Sequence, residues 1–575
     1  MALKRAKVLI KTPGQLQKFL SRQGGGFPLG TQIRELRVRL EVKVREWDLE
    51  RIQRMCPLLE VFLFEPDSLM SNRTRSTFWY SRHHRIKRVG YYRIFTGWRY
   101  LRRIPVIWKY SDEVMDYLHS HGHQLEKIVF SEDTMLVMIE TIGYSKPFSW
   151  LTGVRKLVLD GHFYHFHFHP ADMDELHAHM PQLEDLDMGG IRMTEEYQKE
   201  YQSASQPAWH LRRFAAKSIP SRPIWFDYIA RKFPLLESLE LLEGCDSDFS
   251  MTDSQQYKDG ILEMAKKLGK LRQLIIESFF WLTLPFFEVL EGFGTQLTEF
   301  GTSIDFTDDR TKRTIEAYLP MIQSYVTSMA LTLPAQFCQL PGSYTRLTKL
   351  EIFLCFMECD PDGLKLNVIL DAAITLQELQ IHGGSVYIES SQDDGKMHPL
   401  RKIGLSSVIF SDTFFSRLSN ICLELKIVVL TSFLFDIPYL TRYPKFVVDT
   451  PHHTFDLVEV KDPSMAIFCM DIANCTTRES WYHVYVEDVE DENDRWENET
   501  AFNRKMQRLN DNDVAYIKKV EASCTSWIRP QRARTDRVPA KHWEKNVELG
   551  YFSLRCANIK SFVFDGVDYF QAIND

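Results

Sequence analysis

Leu347-Thr348-Lys349-Leu350-Glu351-Ile352 reads apolar-x-x-apolar-x-apolar. Successive side chains of an extended chain point to opposite faces, so Leu350 and Ile352 fall on one face and Lys349 and Glu351 on the other. The cassette returns as Leu236/Leu239/Leu241, Leu271/Leu274/Ile276, Leu376/Leu379/Ile381 and Leu400/Ile403/Leu405. Self-similarity at a fixed spacing is the mark of a stacked-repeat architecture.

Indexed by its middle apolar residue, the cassette is read at Leu36, Val61, Val89, Ile128, Leu157, Leu186, Phe214, Leu239, Leu274, Phe300, Met329, Leu350, Leu379, Ile403, Leu425, Val458, Val484 and Phe562. The spacing is mostly about 21 to 35 residues. Longer steps from Val89 to Ile128 and from Val484 to Phe562 imply insertions. Between cassettes lie helical patterns. Leu49, Ile52 and Met55 share a face before Pro57, and residues 112–119, 172–179 and 257–268 show the same three-to-four spacing. Pro57-Leu58-Leu59-Glu60, Pro181-Gln182-Leu183-Glu184 and Pro234-Leu235-Leu236-Glu237 each stop a helix and start a strand, because proline cannot continue a helix and favours an extended residue before it. Helix, turn and strand units of this kind predict an α/β leucine-rich-repeat solenoid, curved, with a parallel inner sheet and outer helices. Its expected divisions are a run-in and cap at 1–32, an irregular solenoid at 33–490 with a basic-aromatic insertion near 68–111, and an acidic loop with a capping segment at 491–575.

The length of 575 residues exceeds what one ordinary core supports, which also favours a solenoid. Hydrophobic residues make up 44% and charged residues 26% of the chain, as in a folded protein with water on its surface. A net charge of -7 is too mild to imply a polyanion partner for the whole molecule. The ten cysteines include no Cys-x-x-Cys pair, and Met1–Lys11 lacks an apolar stretch of the signal-peptide kind. Reduced thiols and a cytoplasmic or nuclear location are expected. Glu424, Lys426 and Asp436 interrupt the most apolar region, so no membrane span is predicted.

The helix–Pro–Leu-Glu–strand units at 48–64, 172–188 and 225–242 resemble the leucine-rich repeats of F-box proteins, especially the divergent fungal families. Lys11-Thr12-Pro13-Gly14-Gln15-Leu16-Gln17-Lys18-Phe19-Leu20 resembles the run-in to the repeats in those proteins. The resemblance covers roughly residues 30–490. It implies substrate recognition in a cullin-based ubiquitin ligase, through a Skp1-like adaptor. An F-box is a helical module ahead of the repeats. Residues 1–32 contain nothing of that form before the cassette that starts at Ile33, so the adaptor end is expected to be absent, truncated or lost, or encoded upstream of Met1.

In the cassette, residues between the apolar positions face away from the core. Arg37, Arg39, Phe62, Phe64, Arg88, Tyr92, Lys127 and Lys156 are therefore expected on a concave protein-binding face, where exposed aromatics and arginines are the usual hot-spot types. Residues 68–111 contain no acid, and basic side chains alternate there with aromatics. Arg82, Arg85, Arg99, Arg102 and Arg103 are candidates for an anionic ligand, either an acidic or phosphorylated protein segment or, less favoured, nucleic acid. His162, His165, His167 and His169 sit in an aromatic-rich loop, with no cysteine or aspartate at metal spacing beside them. No metal, no cofactor and no catalytic residue are expected, for no phosphate-binding glycine loop, nucleophile elbow or HExxH is present. The acidic run 487–499 reads as a solvated loop.

Overall fold

The computed structural model describes residues 6–10, 13–21, 32–39, 44–65, 94–107, 111–143, 145–160, 167–189, 192–193, 206–216, 224–242, 254–278, 282–303, 317, 319–334, 340, 342–355, 363–389, 397–411, 413–431, 434–435, 445–461, 465–473, 479–486, 504–523 and 542–572. The chain is a mixed α/β fold and divides into two compact units, Met1–Thr295 and Gln296–Asp575.

In the first unit, Ala6–Ile10, Ile33–Arg39 and Val61–Glu65 form a parallel sheet. Arg103 bridges Val61 on one side and Lys127 on the other. From Lys127–Ser131 the parallel order continues through Lys156–Asp160, Asp185–Asp187, Arg213–Ala216, Ser238–Leu241 and Gln273–Ser278. Cassette lies on cassette: Ile128 pairs Leu157, Leu157 pairs Leu186, Leu186 pairs Phe214, and Leu239 pairs both Phe214 and Leu274. All six side chains are buried. Each such side chain taken from water contributes about 1.5–3 kcal/mol.

The second unit repeats the pattern over Glu299–Ser303, Ser328–Pro334, Lys349–Cys355, Glu378–His382, Lys402–Ser406, Ile427–Thr431, Leu457–Lys461 and Phe562–Phe564. A five-stranded sheet accompanies it, in the order Lys445–Phe455, Tyr551–Ile559, Ile467–Ile472, Glu479–Val486, Arg504–Arg508. Helix Asp511–Ser523 covers this sheet, with Ile517 in a core with Ile467, Cys469, Trp481 and Tyr551.

Four of the turns that lead into strands share one geometry. Cys56, Met180, Ala373 and Cys422 end their helices at φ/ψ of -120/63, -119/67, -120/65 and -112/71. The leading apolar residue of the cassette then closes a turn onto that position: Leu59 N–H donates to Cys56 O, and Leu183, Leu376 and Leu425 do likewise to Met180, Ala373 and Cys422. A helix leaves its last carbonyls without partners. At three of these ends a ring N–H just ahead of the next cassette donates to the carbonyl: Trp98 to Cys56 at 2.8 Å, His398 to Ala373 at 2.9 Å and His453 to Cys422 at 2.9 Å.

Four sequence expectations change. The middle position of the second cassette is Phe62, not Val61, because Leu36 pairs Phe62 and Phe62 is fully buried. Near residue 425 it is Val428, which pairs Ile403; Leu425 is the leading residue of that cassette. Val484 belongs to no cassette, since its strand runs antiparallel to both neighbours in the five-stranded sheet. A rung of the repeat precedes Ile128, where an insertion was expected: Leu101, Ile104 and Ile107 are buried, and Arg103 takes the strand position between Val61 and Lys127, while the cassette expected at Val89 lies outside the described residues. The five-stranded sheet draws strands from both sides of residue 490, and Phe562–Phe564 pairs in the repeat sheet.

Candidate interaction face and charged pocket

Core packing fixes the alternate positions of each strand, so the intervening side chains form rows on the opposite sheet face. In the first unit that face is an ion-pair lattice. Lys156 pairs Asp185. Arg213 reaches Asp185 at 2.8 Å and Glu240 at 2.8 Å. Ser238 Oγ donates to Gln273 Oε1 at 2.6 Å. Burial works against the charge of Arg213, but Glu240 and Asp185 outweigh it and hold the guanidinium firmly protonated. On the second unit, His382 Nε2 lies 3.1 Å from Glu351, its ring stacks on Phe353 at 4.4 Å, and Glu378 sits between Lys349 and Lys402 at 3.6 and 3.7 Å.

A second row marks the N-terminal ends of the strands. The residue after each leading apolar side chain is Arg34, Glu60, Arg102, Glu126, Arg155, Glu184, Arg212, Glu237 and Arg272 in turn. Each after Arg34 donates its backbone N–H to the carbonyl of the one before, at 2.7–2.9 Å. Their side chains pair along the row: Arg34–Glu60 at 3.9 Å, Arg102–Glu126 at 2.8 Å, Arg155–Glu184 at 3.2 Å and Arg212–Glu237 at 3.9 Å.

Where this row meets the first strands there is a pocket of about 300 Å³ lined by Lys7, Arg34, Glu35, Arg37, Glu60, Val61, Arg102, Arg103 and Glu126. Five cations and three carboxylates give its wall a net charge of +2. Glu35 is nearly buried, at 9% exposure, between Lys7 at 2.9 Å and Arg37 at 2.5 Å. Burial pushes the Glu35 carboxyl up, but the hydrogen bonds from Lys7 and Arg37 prevail and hold it below the usual range. Beside the pocket, Lys127 is depressed first by its burial and then by the cations Lys156, Arg103 and Arg37, which outnumber the opposing Asp185.

The predicted site residues separate on this geometry. Arg37, Arg102 and Arg103 line the pocket, with Lys127 next to it and Lys156 on the same face. Arg99 is exposed, on the turn before the Leu101 rung. Phe62 is a correction. It stacks on Trp98 at 5.9 Å inside the core and offers no surface, because the one-residue change of register turns its side chain to the other face. Arg82, Arg85, Arg88, Tyr92, the acidic run 487–499 and most of the basic-aromatic segment lie outside the described residues, as do the side chains of Arg39 and Phe64. His167 lies in a short strand paired to Arg192–Met193, and His169 caps helix Pro170–His179. Among the described residues no group of three His, Cys, Asp or Glu is placed to hold a metal, and no helix is long and apolar enough to cross a membrane. Sequence reading missed Lys7, Arg34 and Glu126 as pocket residues. The signal for the last two was present as the alternation of sign once the cassettes are aligned.

No protein-family model matches the chain, and no curated protein matches it. Among solved structures the chain is similar to the crystal structure of the Rad7 and Elc1 complex in yeast, at 11% identity and a TM-score of 0.33, over 74% of this chain and 91% of that one.

Proposed function

We propose that this chain is a leucine-rich-repeat solenoid that works without catalysis, by binding another protein on the open face of its repeat sheet. The observation that carries the reading is the ion-pair lattice from Lys156 to Glu240. Side chains anchored to in-register strands and to one another lose little freedom when a partner docks, and a face organised beforehand binds at a smaller entropic cost. Interleaved opposite charges also make such a face selective, because a wrong partner meets like charge.

The helix–Pro–Leu-Glu units extend the proposal to substrate recognition in an F-box-type, cullin-based ubiquitin ligase, in the cytoplasm or nucleus, with a Skp1-like adaptor as second partner. Site-specific photo-crosslinkers at Lys156 and at Lys266, on the helical side, test the face. Adducts from position 156 and not from 266 are expected; the reverse pattern overturns the face assignment. Mixing the full chain with purified Skp1 and weighing the product by light scattering tests the ligase role. A stable one-to-one complex is expected. Its absence leaves a stand-alone interaction scaffold.

A further inference from the structure

The pocket at the start of the repeat sheet deepens that reading by giving the chemistry of one group on the partner. We propose that it receives a doubly charged oxyanion presented by a polypeptide segment, either a phosphate monoester or two adjacent carboxylates. The inference rests on the protein-binding proposal.

Three observations converge. The wall carries a net +2, which one dianion neutralises and a single carboxylate does not. Its cations reach solvent: the Lys7 side chain is 72% exposed and that of Arg103 is 44% exposed, so both can turn to a ligand without unfolding anything. The Arg103–Glu126 separation of 4.0 Å is a weak pairing that a closer oxyanion would replace.

The same geometry argues against a nucleic acid. A phosphodiester backbone needs a continuous basic track. Here Glu35, Glu60 and Glu126 interrupt the pocket wall, and Asp185, Asp187 and Glu240 occupy the face beyond it. One concentrated dianion fits the pocket, and a strand of evenly spaced charges meets acid on either side.

The test uses the full chain and fluorescence anisotropy. The probes are three short peptide pools with the same random flanks, bearing at their centre phosphoserine, Asp-Glu or Ser-Ser, and a single-stranded oligonucleotide. The phosphoserine or Asp-Glu pool is expected to bind at least about tenfold tighter than Ser-Ser, the scale of one charge-assisted contact, and the tighter of the two names the source of the dianion. Lys7→Ala and Arg103→Ala are expected to remove about that factor each. Glu126→Gln, which releases Arg102 and Arg103 and adds a charge to the wall, is expected to tighten binding, an effect that no folding defect imitates. Equal binding of all three pools overturns the proposal. So does a preference that these variants leave unchanged, or an oligonucleotide that binds tighter than either acidic pool. Crosslinking at Lys156 is read separately, so failure of the dianion does not decide the protein-binding reading.

Discussion

The two units place different side chains at one position of the same cassette. In the first unit the residue after the leading apolar side chain alternates arginine and glutamate over nine rungs without a break, from Arg34 to Arg272. In the second it runs Thr298, Thr327, Thr348, Gln377, Arg401, Lys426 and Asp456. The backbone ladder through that position is the same in both, at 2.7–2.9 Å. Thr327 and Thr348 hydroxyls each donate to the carbonyl one rung earlier, at 3.1 Å. The stack itself therefore comes from backbone pairing and buried cassettes, and the side chain at this position is left to do something else. Alternating signs give each rung two oppositely charged neighbours. A slip by one whole repeat sets arginine against arginine, so the ladder guards the order of the rungs at little gain in stability. A threonine row carries no sign and gives no such guard.

The largest expected effect breaks what the units share. Leu350→Ala in the second and Leu157→Ala in the first should each cost about 2–5 kcal/mol, since both leave a cavity under a paired strand. Hydrogen exchange of the flanking strand amides measures it. A loss below about 0.5 kcal/mol at both positions would mean that the cassettes are not core.

Acid comes next. Burial, and then Lys232, push His177 of the first unit down to about 3. Its ordinary value is about 6.5. A histidine lowered on folding adds stability above its unfolded pKa, and that stability drains away as pH falls from about 6.5 toward about 3. His177→Phe, beside the Phe233 ring, should remove this part of the acid sensitivity. The difference between variant and parent melting temperatures should therefore grow in the variant's favour from neutral pH to pH of about 4. A constant difference contradicts the assignment.

At the ladder position the effects are smaller and differ in kind. Thr348→Val removes a hydroxyl bond to Thr327 and should cost about 0.5–1.5 kcal/mol, unchanged by salt. Glu184→Arg places a third cation between Arg155 and Arg212 in the row, and should cost up to about 1 kcal/mol at low salt. Most of that should vanish near 1 M salt, where the screening length is about 3 Å. If the threonine effect follows salt and the glutamate effect does not, the contrast between the units is wrong.

Much of this is written in single segments. The spacing at 347–352, the proline stops at 57, 181 and 234, and the parallel pairing they imply are local patterns, set by strand alternation and by the missing N–H of proline. The cassettes with phenylalanine at the middle position, Phe214, Phe300 and Phe562, take their places because a paired, buried position accepts phenylalanine as readily as leucine. The rung at Leu101 was hidden by its two arginines and by Pro105, which read as part of the basic-aromatic insertion. Only its neighbours reveal it: Trp98 packs on Phe62 and Cys56, and Arg103 bridges Val61 and Lys127.

What the sequence by itself determined is the period, the direction of the strands and the face that each residue prefers, because those follow from interactions within a few residues. Which residues meet was decided by the tertiary structure. The five-stranded sheet pairs Lys445–Phe455 with Tyr551–Ile559, and the pocket brings Lys7 to Arg103 and Glu126. Such encounters depend on the length and path of everything between the partners, and no local pattern encodes a distance through space. The charge of each residue could be read from the chain. The potential it joins exists only once stacking has set five cations around one small volume.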